Sequence, residues 1–186
     1  MRVAGLENRL VEVGVQLLES TGPDRLGLRE IARQAGVSHG APRRYFPTHQ
    51  LLLAAVAKSG LTDLTAQMER VFTGPQPARE RLRVAAHEYV GFAQARPEMF
   101  RLIFRHDLHR GSGYSLRVVW LPLLDAMAAM VAQASPAVDD PRERGLLIWT
   151  HVHGIATFAA GLTLEPAGLD TQVDSLVEKA VQAQLS

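Results

Sequence analysis

An all-α fold is what this 186-residue sequence predicts, and three observations predict it. Apolar residues recur at helical spacing, as in Leu6, Leu10, Val13 and Leu17. Period-two runs bounded by turn residues are missing, and so are the Asn-Gly and Asp-Gly signals of hairpins. Prolines and glycines punctuate the chain where helices would end.

The elements follow in order. The first helix carries Leu6 to Leu17 and stops at Gly22 and Pro23. A second, short helix runs through Leu28, Ile31, Ala32 and Ala35, and Gly36 ends it because glycine takes positive φ at little cost. Ser38 reads as the N-cap of a third short helix, closed by Pro47 after Phe46. Thr48 caps a fourth through Leu51, Leu52, Ala55 and Val56. Pro77 opens a helix towards Ala95, and Pro97 opens another through Phe100 and Phe104. A loop at Gly111, Ser112 and Gly113 precedes a long helix from Ser115 to Ala134, with Pro122 inside it. Asp140 and Pro141 read as an N-cap with proline at the first helical position. Pro166 to Gly168 turn the chain into a last helix, Leu169 to Ala183. This gives about nine or ten helices, without repeats or low-complexity segments.

Composition narrows the function. At 47% hydrophobic and 21% charged, the chain is globular, long enough for one ordinary domain or two small ones. Without cysteine it holds no disulfide, thiolate metal site or cysteine nucleophile, which fits a cytoplasmic protein. Glu7 and Arg9 interrupt the amino terminus, so no signal peptide is read there. Gly145 to Leu164 lacks Asp, Glu, Lys and Arg and approaches the length of a membrane span. His151, His153 and its Thr and Gly residues favour a buried helix instead. In that helix Gly154, Thr157 and Gly161 fall near one face, open to close helix approach.

The net charge of +1 conceals an asymmetry: residues 1–60 carry eight bases and five acids, or +3, and residues 61–186 carry −2. Five of those eight bases lie between Arg25 and Arg44. The same segment, LREIARQAGVSHGAPRRYF (Leu28 to Phe46), holds two short helices around a Gly-containing turn, the pattern of a helix-turn-helix. Ile31 and Ala32 pack the first helix, Gly36 permits the turn and Val37 fills the angle. Ser38 would let the second helix meet DNA with its amino-terminal end.

The stretch LREIARQAGVSHGAPRRYFPTHQLLLAAV resembles the helix-turn-helix and following helix of the TetR family of transcriptional regulators, over residues 5 to 60. Tyr89 to Phe104 and Trp149, His151, His153 and Gly154 resemble the regulatory half of one branch of that family. The resemblance implies a three-helix DNA-binding domain over residues 1–60, its helix-turn-helix at 27–46. A larger helical ligand-binding and dimerisation domain would follow over 61–186. Departures are visible. Gly27 and His49 replace the family's frequent Thr or Ser and Lys, and Arg43 replaces a phosphate-contacting Tyr. Pro42, as a fourth helical residue, would forfeit its bond to the Ser38 carbonyl, so the recognition helix is expected to start late, bend or become partly 3₁₀.

The DNA-contacting candidates are Arg29, Ser38, His39, Gly40, Arg43, Arg44, Tyr45 and His49. Ser38 and His39 meet phosphate or a base edge, and Gly40 allows close backbone approach. Arg43 and Arg44 contact phosphate or guanine, and Arg29 the flanking backbone. Tyr45 either contacts phosphate or packs, and His49 donates to phosphate. Phe46 belongs to the core.

Aromatic and Met residues at helical spacing in the second part read individually as core. As the wall of an effector pocket the candidates are Tyr89, Phe92, Phe104, Trp120 and Met127, with His87, Tyr89 and His151 supplying polar groups. His151 and His153 point about 200° apart on a helix and cannot chelate one ion; His106 and His109 could share a face, but no carboxylate completes a metal site. No nucleophile or phosphate-loop motif occurs, and no cofactor is implied. Ala126, Ala129, Ala156 and Ala160 suit a helical dimer interface, which the resemblance also implies. The reading is a cytoplasmic, homodimeric, ligand-responsive repressor of a palindromic double-stranded DNA operator, with an unidentified small-molecule effector. The alternatives are an all-α small-molecule-binding protein or enzyme without DNA binding, and a membrane-associated protein using Gly145 to Leu164.

Overall fold

The computed structural model describes residues 3–105, 108, 116–161, 168 and 170–186. Among them are eight α-helices, two short 3₁₀ turns and no strand. The helices are α1 (Val3–Thr21), α2 (Leu28–Gln34), α3 (His49–Phe72), α4 (Ala78–Ala95), α5 (Pro97–Ile103), α6 (Leu116–Ala134), α7 (Pro141–Ala160) and α8 (Val173–Gln182). The 3₁₀ turns are Pro42–Arg44 and Asp170–Gln172. His106, His109, the loop at Gly111 to Gly113, Pro166 and Ala167 lie outside the described residues. The last helix begins at Val173, four residues later than its apolar pattern begins, because the 3₁₀ turn precedes it.

The chain divides into two compact units, residues 1–63 with 98–115, and residues 64–97 with 116–186. In the first, Gly22 leaves α1 at φ +71° and Gly36 leaves α2 at φ +66°, the left-handed region that glycine enters without a Cβ penalty. The end of α2 is a Schellman motif. Val37 N donates to Ala32 O (3.0 Å) and Gly36 N to Arg33 O (3.2 Å), which satisfies two helix-end carbonyls. Thr48 Oγ1 accepts from Leu51 N at 3.2 Å and caps α3. The core of this unit includes Leu10, Leu18, Ile31, Ala32, Phe46 and Val56.

Helix α5 packs in the same unit. The Glu19 carboxylate, from α1, accepts from Glu98 N (3.1 Å) and Met99 N (3.0 Å). It thereby caps amide groups that the first turn of α5 leaves without intrahelical partners. Met99 is fully buried, and a Cβ placed on Gly60 of α3 would overlap its sulfur. Glycine at position 60 is what lets α5 lie so close to α3.

In the second unit α6 and α7 pack on each other and on α4, and α8 covers α4 and α7. Asp140 caps α7, its carboxylate accepting from Arg142 N and Glu143 N, each at 3.0 Å, with Pro141 in the first turn. Gly145 brings α7 against the α6 backbone, since an added Cβ would lie 3.5 Å from Ala128 N. Among the described residues no helix is long and apolar enough to cross a membrane. The apolar stretch that begins at Gly145 is part of α7, whose first turns carry Arg142, Glu143 and Arg144.

Candidate nucleic-acid interface and ligand cavity

Beyond the Schellman turn, the second half of the helix-turn-helix is shorter than its sequence pattern. Ser38 is not an N-cap. Its carbonyl accepts from Ala41 N at 3.0 Å in a turn, and the helical piece begins at Pro42. Pro42 has no N–H with which to extend an α-helix back to Ser38, so the segment is a 3₁₀ turn over Pro42–Arg44. A partly 3₁₀ segment is what Pro42 led one to expect. Tyr45 N and Phe46 N both donate to Pro42 O, at 3.0 and 2.8 Å, and close the turn. Pro42 and Phe46 are buried and anchor it.

This anchoring turns the polar residues outward. Ser38, His39, Gly40, Arg43 and Arg44 are exposed, and Tyr45 is half-buried. Space around Gly40 is open for an approaching backbone. Arg29 is exposed on α2. Arg33, by contrast, is held by Glu30 in a two-pronged pair (2.9 and 2.5 Å), which lowers the carboxyl pKa through its hydrogen bond to the guanidinium. Among the described residues Arg29, Arg43 and Arg44 join no such pair. His49 has a local task. Its Nε2 lies 2.6 Å from the Leu26 carbonyl oxygen, which can only accept. The Nε2 proton is therefore directed at Leu26.

The second unit contains a narrow cavity of about 40 Å³, walled by α3, α4, α6 and α7. Tyr89, Trp120 and Met127 line it, together with Met68, Trp149 and Val152. Among the described residues of the wall none carries a formal charge. The remaining candidates lie elsewhere. His87 faces α8, with Nε2 2.8 Å from Glu178 Oε1 and Nδ1 3.3 Å from Asp174 Oδ1. Burial pushes the Glu178 carboxyl up, but hydrogen bonds from Arg83 and His87 outweigh it and hold it below its usual range. Phe92 is buried on α4 with the Arg96 guanidinium 5.4 Å above its ring, and Phe104 packs on Phe100 in the first unit, ring centres 5.0 Å apart. His151 is exposed.

The histidine beside the cavity is His153, not His151. Its Nδ1 lies 2.8 Å from the Tyr89 hydroxyl, and its ring stacks on Trp149 at 5.4 Å. Tyr89 is 4% exposed, and burial pushes its pKa well above the ordinary tyrosine range, against a smaller downward pull from the Trp149 indole. Burial lowers the His153 pKa. Both groups are therefore neutral near pH 7, and the hydroxyl donates to Nδ1. Trp149 and Trp120 stand 5.7 Å apart. The Trp149 Nε1 is buried, and its interaction with the Tyr89 hydroxyl falls short of a full hydrogen bond. The sequence pattern placed Trp149 and His153 in one cluster; that they, rather than His87 or His151, flank the cavity depends on the rotation of α7.

Known proteins match the chain in two stretches. Residues 10–56 match the family described as "Bacterial regulatory proteins, tetR family", and residues 82–184 match "Tetracyclin repressor-like, C-terminal domain". A solved structure of a protein of unknown function from Rhodococcus sp. RHA1 is 34% identical, with TM-score 0.76, covering 97% of this chain and 96% of that one. The transcriptional regulator FadR from Bacillus subtilis, solved with stearoyl-CoA, shares the fold at 14% identity and TM-score 0.69, over 96% of this chain and 97% of that one. The nucleoid occlusion factor SlmA of Vibrio campbellii is 27% identical over 100 residues, 53% of this chain. The chain spans about half the length of the curated relatives it matches (51% for this one).

Proposed function

Because the chain belongs to the tetR family of bacterial regulatory proteins, we propose that it is a cytoplasmic repressor that holds a palindromic operator as a homodimer and releases it when a small molecule binds. Its work is binding, without turnover. The observation that carries this reading is the segment Ser38 to Tyr45. Buried Pro42 and Phe46 fix it, Arg43 and Arg44 stand exposed and unpaired on it, and Arg29 stands unpaired beside it. Arg43 and Arg44 contact phosphate or guanine, Arg29 the flanking backbone, and Ser38, His39 and Gly40 lead the approach. Tyr45 adds a phosphate contact from its exposed edge. His49, exposed at the start of α3, holds the Leu26 carbonyl through Nε2 and keeps Nδ1 for a phosphate contact.

The dimer forms through the outer faces of α6 and α7. Leu121, Leu146, Leu147 and Phe158 are exposed there at 39, 45, 36 and 57%. Gly154 has open space beside it, and Thr157 and Gly161 are exposed. Such a patch supports a protein partner, and symmetry makes a second copy the simplest one. Two heads would then read successive major grooves about 34–36 Å apart. The effector enters the cavity lined by Tyr89, Trp120 and Met127. At about 40 Å³ the cavity is smaller than any effector, so binding favours a swollen state of the helices around it. That difference in affinity between states is what a ligand needs in order to shift the DNA-binding equilibrium.

Footprinting of the purified protein on DNA flanking its own coding region tests the proposal. The expected result is a protected palindrome with half-sites one helical turn apart. Absence of DNA retention even at low salt overturns it and favours a small-molecule protein without DNA binding.

A further inference from the structure

Arg9 is the only Arg or Lys of α1, and its side chain reaches the turn that follows α2. A Cβ built on Gly36 would stand 3.9 Å from Arg9 Nη2, so the guanidinium lies against the turn that leads into Ser38 to Tyr45. Arg9 is exposed and joins no hydrogen bond or ion pair among the described residues. Carbonyls at the end of α2 already have partners: Ala32 O accepts from Val37 N, and Arg33 O from Gly36 N. Glu12, three residues along α1, makes no pair with Arg9, whereas Glu30 and Arg33, also three apart, close a two-pronged one. The charge of Arg9 is thus left for a group outside the protein. In a helix-turn-helix the first helix crosses the DNA backbone and the second enters the groove. A cation on the turn between them faces phosphate sooner than a base edge. Arg25 is also exposed and joins no pair among the described residues, but it lines a cleft with Asp24 and Glu98, whose carboxylates oppose a phosphate there.

We infer that Arg9 is a further DNA contact, a phosphate clamp that α1 supplies beside the turn at Gly36. It widens the basic surface of the head to three elements: Arg9 from α1, Arg29 from α2, and Arg43 and Arg44 from the 3₁₀ turn. Gly36, without a side chain, leaves a phosphate room to approach the guanidinium. The contact adds affinity and fixes the seating of the head on the duplex, but it makes no sequence choice, because every nucleotide presents the same phosphate. A guanidinium near the carboxy-terminal end of α2 also complements the helix dipole. That effect belongs to folding stability and is present without DNA, so the two are measured separately. The inference rests on the DNA-binding reading and extends it to a helix outside the helix-turn-helix.

The experiment is fluorescence anisotropy titration of the full-length protein, wild type and Arg9→Ala, with two labelled duplexes of equal length. One is selected by the wild-type protein from a random pool, and the other has the same bases in scrambled order. Arg9→Ala weakens binding to both by the same factor. One phosphate contact contributes about 0.9 to the slope of log K against log salt, so the wild-type-to-variant affinity ratio at about 50 mM salt exceeds that at about 200 mM by about 3–4-fold. Arg9→Lys keeps the charge and recovers most of that slope. Thermal melts without DNA read the helix-end effect by itself, and the salt slope of DNA binding is a readout that a purely structural Arg9 would not move. Wild-type affinity and slope in Arg9→Ala overturn the inference. So does a loss of affinity with the slope unchanged, or a loss confined to the selected duplex, which marks a base contact. Each of these leaves DNA binding by the wild-type protein in place and removes the inference alone. Retention of neither duplex by the wild-type protein at low salt removes the DNA-binding reading and the inference together.

Discussion

The Tyr89 hydroxyl donates to Nδ1 of His153 across 2.8 Å and ties α4 to α7 beside the cavity. Tyr89→Phe removes the donor and leaves the half-buried imidazole nitrogen unpaired, a loss of about 1–3 kcal/mol in denaturant unfolding. An unchanged midpoint would show that the bond contributes nothing.

The same histidine sets a pH dependence. Burial holds the folded His153 pKa below the ordinary value of about 6.5. The unfolded chain therefore binds a proton there first, so this contribution to stability is complete above about pH 6.5 and falls as pH drops towards the folded pKa. His153→Asn cannot titrate. Its melting temperature should fall less than that of the wild-type protein between about pH 7 and about pH 5. Equal falls would assign the dependence to other groups.

Glu19 is exposed, yet it holds the start of α5 through two amides. Glu19→Ala should cost about 0.5–2 kcal/mol, the range for removing a helix cap. Hydrogen exchange locates the effect: the Glu98 and Met99 amides should exchange faster, and those of α8 at their original rate.

Gly60→Ala separates two opposing effects. Helix propensity alone would stabilise α3 by about 0.5–1 kcal/mol. The new Cβ overlaps the sulfur of fully buried Met99, and overpacking of this kind costs about 1–3 kcal/mol. The net effect is destabilising. It should shrink when Met99→Ala is added, as a double-mutant cycle would show. Additive effects would mean the two side chains do not meet.

Arg43→Ala and Arg44→Ala should weaken DNA binding and shallow its salt dependence by about one unit for each phosphate no longer neutralised. Arg33→Ala should do less, because Glu30 already occupies that guanidinium. Equal weakening in all three would argue for a diffuse charge effect and against direct recognition by the Pro42–Arg44 turn.

Phe158→Glu places a charge on the outer face of α7, where the side chain is 57% exposed and the monomer core is not disturbed. Sedimentation should report a monomer with a near-native melting curve at high dilution. A dimer unaffected by the change would move the interface elsewhere.

Much of this architecture was legible because it is locally encoded. Gly36 before Val37, Thr48 before Leu51, and Asp140 before Pro141 each specify a helix end within five residues, and each end lies where its chemistry requires. Pro42 announced the 3₁₀ segment because a missing N–H acts within one turn. What remained hidden depends on distance or rotation. Leu26 and His49 meet across 23 residues, and Glu19 reaches Glu98 across 79. No periodicity reports such pairs. On α7, apolar on nearly every side, sequence alone could not say whether His151 or His153 turns inward. Phe104 matched the aromatic spacing of the cavity wall, but α5 packs with the amino-terminal helices, which takes it out of that wall.

The chain has two tryptophans, and Trp120 and Trp149 share one cavity wall with their rings 5.7 Å apart. The unlabelled protein is consequently its own optical probe. All of its indole emission originates at a single place, and the near-ultraviolet dichroism of the coupled pair changes whenever the spacing between the rings does.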